Sequence, residues 1–105
     1  MKYLRLKKNG DFLKLFKKGK RVFSPCLTVI YTPSKRPFMG ISLSKKHGKA
    51  VKRNRIKRLI RASYSNNFEK MKGCYSMVIM PKVLDEYNYK DIEESILSCF
   101  RRMEK

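Results

Sequence analysis

A mixed α/β (α+β) domain is what this sequence predicts, and three observations carry the prediction. Apolar residues recur at helical spacing in three separate segments, near residues 10–18, 49–66 and 88–103. Other stretches, 26–32, 38–44 and 75–80, alternate or run apolar over strand lengths and are bounded by Pro or Gly. The chain is 105 residues long with 42% hydrophobic and 11% aromatic residues, which suits one domain over 1–105 and supplies enough apolar surface to outweigh disorder despite a net charge of +19. The expected order is helix, two or three strands, helix, strand, helix.

The first helix is expected over about 10–18, with Asn9 as its cap, Asp11 in its first turn and Gly19 just past its end. Phe12, Leu15 and Phe16 fall at i, i+3 and i+4 and share one face; core packing explains such a stripe without further function. Val22-Phe23 suits a short strand before Pro25. Cys26 to Thr32 alternates, with Leu27, Val29 and Tyr31 on one side. The segment 33–37, Pro-Ser-Lys-Arg-Pro, reads as a turn because proline fixes φ and lacks a ladder donor. Phe38 to Ser44 follows as a strand, and the spacing suits an antiparallel hairpin with the strand before the turn.

A long helix is expected from about Lys49 to Asn66, with Ile56, Leu59, Ile60 and Ser63 lining one face and Arg53, Lys57 and Arg61 on another. Lys72-Gly73 turns into Tyr75–Met80, a buried strand that Pro81 ends. Asn88 then caps a last helix, with Asp91 three residues on in a capping-box-like pair and Ile92, Ile96, Cys99, Phe100 and Met103 as the buried face.

The charge is unevenly placed. Residues 1–68 hold 20 Lys and Arg against a single acid, Asp11, whereas residues 69–105 hold seven basic and seven acidic residues. A compact domain with that excess repels itself unless a polyanion neutralises it, which points to nucleic acid as partner. No apolar run is long enough to span a membrane, and residues 1–8 lack a signal-peptide core, so a cytoplasmic protein with no membrane partner is expected. Cys26, Cys74 and Cys99 are odd in number and widely spaced, and His47 is the only histidine, so no metal site is expected. The cysteines read as reduced, mostly buried thiols, and His47 as a loop residue without chemistry of its own.

The densest feature is residues 45–61, where nine of seventeen positions are Lys or Arg and none is acidic. Solvated helix faces normally interleave Glu with Lys, since like charges four apart oppose the helix. This segment accepts that repulsion, which makes sense if phosphates lie between the cations. Arg offers a bidentate fork to phosphate oxygens, and Asn54 can donate to or accept from a base or a 2′-hydroxyl. No Gly-rich phosphate loop, HExxH or GxSxG is present, and the basic half has no paired carboxylates, so no catalytic residue is assigned. Asp85-Glu86 and Glu93-Glu94 read as solvated charges.

The segment from Lys49 to Arg61, with Lys45 and Lys46 before it, resembles the RNR signature of the protein subunit of bacterial ribonuclease P. Asp11-Phe12 with Phe16 and Gly19 resembles that family's first helix, Val29-Ile30-Tyr31 its long strand, and Gly40 to Lys46 its entry to the signature. The resemblance implies a two-layer α-β-β-β-α-β-α sandwich, like a ribosomal-protein domain, with a left-handed βαβ crossover. It implies a subunit of an endoribonuclease that removes the 5′ leader of precursor transfer RNA. Magnesium held mainly by the catalytic RNA would drive hydrolysis, and RNA rather than DNA would be bound. By that resemblance Lys45, Lys46, Lys49, Lys52, Arg53, Asn54, Arg55, Lys57, Arg58 and Arg61 meet the catalytic RNA. Phe12, Phe16, Val29 and Tyr31 would floor a cleft for the single-stranded leader, a role that aromatic platforms flanked by cations can fill. A ribosomal or chaperone-like RNA-binding protein is the alternative, and a nuclease with its own active site a third.

Overall fold

The computed structural model describes residues 3–6, 9–71 and 73–103, without the side chains of Asn9 and Asp11. The strands are β1 (Leu4–Arg5), β2 (Lys20–Phe23), β3 (Leu27–Pro33), β4 (Phe38–Ile41) and β5 (Tyr75–Pro81), and the helices α1 (Asn9–Lys18), α2 (Ala50–Asn66) and α3 (Tyr89–Met103). The mixed class and the order of its main elements are those expected, with β1 added before α1. Helix α1 already includes Asn9, and the roles expected of the Asn9 and Asp11 side chains lie outside the described residues.

One five-stranded sheet has the order β1-β4-β5-β3-β2. β3 pairs antiparallel with β2 on one side and with β5 on the other, while β4 pairs parallel with both β5 and β1. The hairpin expected between the 26–32 and 38–44 strands therefore does not form: β5 lies between them. Leu27 and Pro33 of β3 sit opposite Pro81 and Tyr75 of β5, and the 33–37 turn carries the chain over to the far side. The local hairpin is β2–β3, closed by Ser24, whose N–H and hydroxyl both reach the Leu27 carbonyl at 3.0 and 2.6 Å. The strand after the turn is also shorter than expected, because Ser44 leaves it to cap a 3-10 turn at Lys45–His47.

The two faces of the sheet are unequal. On one, Val29, Tyr31, Met39, Met77 and Ile79 pack against Ile56, Ile60 and Tyr64 of α2 and Ile92, Ile96 and Phe100 of α3. Tyr64 is fully buried and meets Tyr3, Phe68 and Phe100 edge-on. Burial pushes its phenol up, and likewise the Cys99 thiol in the same core. On the other face, among the described residues, α1 is the one helix laid down, through Leu15 with Phe12 and Phe16, and it joins Leu6 over Ile30, Val78, Phe38 and Met80. α2 and α3 thus form one full layer against the sheet, and α1 adds partial cover on its other side.

The expectations for α3 hold in detail. Asn88 Oδ1 accepts the Asp91 N–H at 2.9 Å, and its amide returns a bond to the Asp91 carboxylate at 2.8 Å. His47, by contrast, is a structural residue. Its ring is 7% exposed, with Nδ1 accepting the Ser44 N–H at 3.1 Å and Nε2 2.7 Å from the Pro81 carbonyl. A carbonyl only accepts, so Nε2 carries the proton, and the neutral ring ties the 3-10 turn to the end of β5.

Gly19 closes α1 onto the sheet. A methyl group there would stand 2.5 Å from Ile30 Cγ2 and 2.6 Å from the Leu15 carbonyl oxygen. Gly19→Ala should therefore lower unfolding free energy by about 1–3 kcal/mol, the usual range for forced overpacking, read from urea denaturation.

Candidate nucleic-acid interface

Helix α2 departs from the pattern that its neighbours follow. α1 ends on Lys17 and Lys18, and α3 begins near Asp91 and ends near Arg101 and Arg102, each charge opposing the adjacent end of the helix dipole. α2 has no acid in its first turn, no basic residue in its last, and no side-chain cap, since its N-cap is Lys49. Lys45, Lys46, Lys49, Lys52 and Arg53 all crowd its positive end. Gly48 makes the bend into the helix with φ +103°, a conformation that suits glycine. The result is a positive potential that local sequence does nothing to relieve and that an anion would.

The ten cationic and polar positions expected to meet RNA divide into a crest and two flanks. Lys45, Lys46, Lys49, Asn54, Arg55 and Arg58 are exposed. Arg53, Lys57 and Arg61, expected on a free face, are half-buried instead. Lys57 and Arg61 border a hollow at the β1–β4 edge with Arg5, Phe12 and Gly40. The Arg53 Nε is shielded from solvent and has no hydrogen-bond partner among the described residues. Their spacing of four does make one row, and two of its members border that hollow. On the opposite flank, Lys52 and Arg55 lie against the 82–88 loop, whose Asp85 and Glu86 are exposed as expected.

The second surface is the groove between α1 and the sheet, about 310 Å³, lined by Leu6, Lys14, Lys18, Thr32, Phe38 and Ser76 among others. Phe12 and Phe16 are half-buried along the same helix. The Phe12 ring lies so close over Gly40 that a Cβ there would be 2.7 Å from its Cζ. Val29 and Tyr31 do not join them. They are 1% and 6% exposed on the α2–α3 face, with Tyr31 edge-on to Tyr75 at 5.4 Å, so the four-residue cleft floor is not assembled. Residues sharing the α1 side of β3 are Ile30 and Thr32, one position away from the expected pair.

Sequence reasoning missed Lys14 and Lys18, although their spacing of four places both on one side of α1. It also missed Arg5 and Leu6, which follow from a two-residue strand that carries no periodic signal. Leu6 lines both the groove and the edge hollow, so the two surfaces meet around β1.

The sheet order, the parallel strand–helix–strand crossover and the acid-free crest define a small basic α+β domain whose surface suits a polyanion. Comparison with known proteins agrees. The family model for Ribonuclease P matches residues 1–104. A ribonuclease P protein component from Clostridioides difficile is 40% identical over 101 residues, covering 92% of this chain and 89% of the relative. One from Clostridium botulinum is 37% identical, covering 97% and 96%. The solved RNase P protein of Staphylococcus aureus has a TM-score of 0.84 at 29% identity, covering 97% of this chain and 96% of that one. That of Thermotoga maritima has a TM-score of 0.83 at 26% identity, covering 93% and 96%. The chain belongs to the ribonuclease P protein family, as a subunit of the transfer-RNA-processing endoribonuclease.

Because Tyr31 is core, Tyr31→Ala should lower stability by about 3–5 kcal/mol, as truncation of a buried aromatic does. Thermal unfolding would show it. A variant of unchanged melting temperature would place the ring at a surface instead.

Proposed function

We propose that this chain acts in the cytoplasm as a single RNA-binding domain. The surface carried by residues 45–61 binds the catalytic RNA of ribonuclease P, and the groove along α1 receives the single-stranded 5′ leader of precursor transfer RNA. Hydrolysis belongs to the RNA. The observation that carries this reading is the acid-free, uncapped α2: no Asp or Glu occurs between Asp11 and Glu69, and the exposed crest adds its charge to the positive end of the helix dipole. None of the described helices is long and apolar enough to cross a membrane.

The division of labour follows from residue chemistry. Arg55 and Arg58 offer forks to phosphate oxygens, Lys45, Lys46 and Lys49 add point charges, and Asn54 between them can both donate and accept. Around the groove, Phe12, Phe16 and Phe38 supply apolar surface for bases, with Lys14 and Lys18 beside them for the backbone. Magnesium held by the RNA would supply Lewis-acid polarisation of the scissile phosphate and an activated water. Among the described residues no three His, Cys, Asp or Glu side chains gather to hold such an ion, and no residue of this chain is assigned to it.

Reconstitution with a bacterial ribonuclease P RNA and a precursor transfer RNA tests the whole reading. RNA-free protein with magnesium should leave the precursor intact, and adding the catalytic RNA should give cleavage at one site. Cleavage at that site by protein alone would overturn it.

The two surfaces separate by mutation. Arg55→Ala with Arg58→Ala should weaken binding to the catalytic RNA and flatten the log–log salt dependence by roughly 0.7–0.9 for each phosphate no longer neutralised, without loss of fold. Lys14→Ala with Lys18→Ala should weaken holoenzyme binding of leader-bearing precursor by about fivefold to tenfold at low salt, leaving mature transfer RNA unchanged. Equal weakening for both RNAs would remove the leader from the groove.

A further inference from the structure

The 82–88 loop contributes something that neither the charge pattern nor the family assignment supplies. Tyr87 is 7% exposed and does three things at once. Its hydroxyl donates to the Lys82 carbonyl at 2.5 Å and accepts the Leu84 N–H at 2.9 Å, folding the loop back on itself. Its ring faces the Lys52 ammonium, 5.7 Å from the centroid. Its own carbonyl accepts from Arg55 Nη2 at 3.3 Å. The loop so shaped turns two more carbonyls, of Leu84 and Asp85, toward Lys52 Nζ, each 3.4 Å away.

The geometry points to Tyr87 as a positioning residue for RNA binding: it shapes a loop whose carbonyls and ring hold Lys52 and Arg55 in place on the flank of α2 before RNA arrives. Long basic side chains lose much rotamer freedom when a phosphate immobilises them, and restraint in the free protein removes part of that cost. Carbonyls suit the task. They orient a cation without neutralising it, as a carboxylate would, and with three donors on the ammonium and five on the guanidinium, these bonds leave further N–H groups for a phosphate. The ring adds a face that attracts the ammonium at this range. Tyr87 itself touches no RNA in this scheme and acts only through the two cations. The inference rests on the reading of residues 45–61 as the catalytic-RNA surface.

The test uses the full chain and the catalytic RNA of a bacterial ribonuclease P, with affinity measured across a salt series. Tyr87→Phe keeps the buried ring and loses the two loop bonds; Tyr87→Leu loses the ring as well. Affinity should fall about threefold for the first and about tenfold for the second, with an unchanged salt slope because the same phosphates are met. In a Lys52→Ala, Arg55→Ala background, Tyr87→Leu should cause no further weakening. A drop of equal size in both backgrounds would make Tyr87 merely structural and overturn the proposal. So would unchanged affinity in the parent chain, or tighter binding, which would mean the loop holds the cations away from RNA. The double-alanine background must by itself weaken binding and flatten the slope. If it does not, the RNA surface lies elsewhere, and the functional reading fails before Tyr87 is in question.

Discussion

The position of β5 between β4 and β3 is the constraint from which the rest of this molecule follows. Met77, Val78 and Ile79 are fully buried, so the strand is covered on both faces, and it is hydrogen-bonded along both edges. A strand in that position is parallel to β4, which precedes α2, and a parallel connection needs a crossover. The 17-residue α2 is that crossover. It lies on the sheet face it must traverse, buries Ile56, Ile60 and Tyr64 there, and presents its remaining surface outward. The cationic crest is located by strand order before any charge is considered. α3 then returns along the same face beside α2, and among the described helices this leaves the other face to α1, whose partial cover creates the groove.

How much of this is legible in the chain depends on whether the signal is local. α3 is fully legible, because Asn88, Asp91 and the apolar stripe from Ile92 to Met103 specify its start and its buried side within one short segment. α2 is legible over its length for the same reason. The expected β3–β4 hairpin fails because two strands joined by a Pro-bounded turn look like neighbours, and only a third strand about forty residues further on shows that they are not. β1 is two residues long and has no period to detect. The placement of Val29 and Tyr31 is the most instructive. Alternation shows which residues share a face, but in β3 the five residues from Leu27 to Tyr31 are all buried. With both faces covered, the pattern cannot say which one meets α1. Likewise the spacing of Arg53, Lys57 and Arg61 shows that they form a row, and only the packing of α2 shows that Lys57 and Arg61 border the β1–β4 edge.

The three helices differ in how their charges sit against their own dipoles. α1 and α3 carry charges that favour their own dipoles, and α3 adds a side-chain cap. α2 lacks each of these devices and crowds cations against its own positive end. A helix so arranged is held by its buried face and gains nothing from its termini, so the stability it forgoes is available to an external anion. The small edge strand β1 then matters beyond its length. Arg5 lines the hollow at the flank of α2, and Leu6, the residue after the strand, lines both that hollow and the groove beside α1.

The same strand order has a consequence for the time at which the molecule becomes complete. Synthesis runs from the N-terminus, and the whole of the net charge lies within residues 1–68, ahead of β5. Until residues 75–81 emerge, β3 and β4 have no common partner, and the nascent chain displays its full excess of cations with no centre to its sheet. Closing it then requires the pairing of β3 with a strand more than forty residues away, the kind of non-local step that slows folding. During that interval self-repulsion favours the open chain, and any polyanion within reach screens it. Assembly with RNA and closure of the sheet therefore draw on the same electrostatic relief, which ties the birth of the fold to the company it keeps.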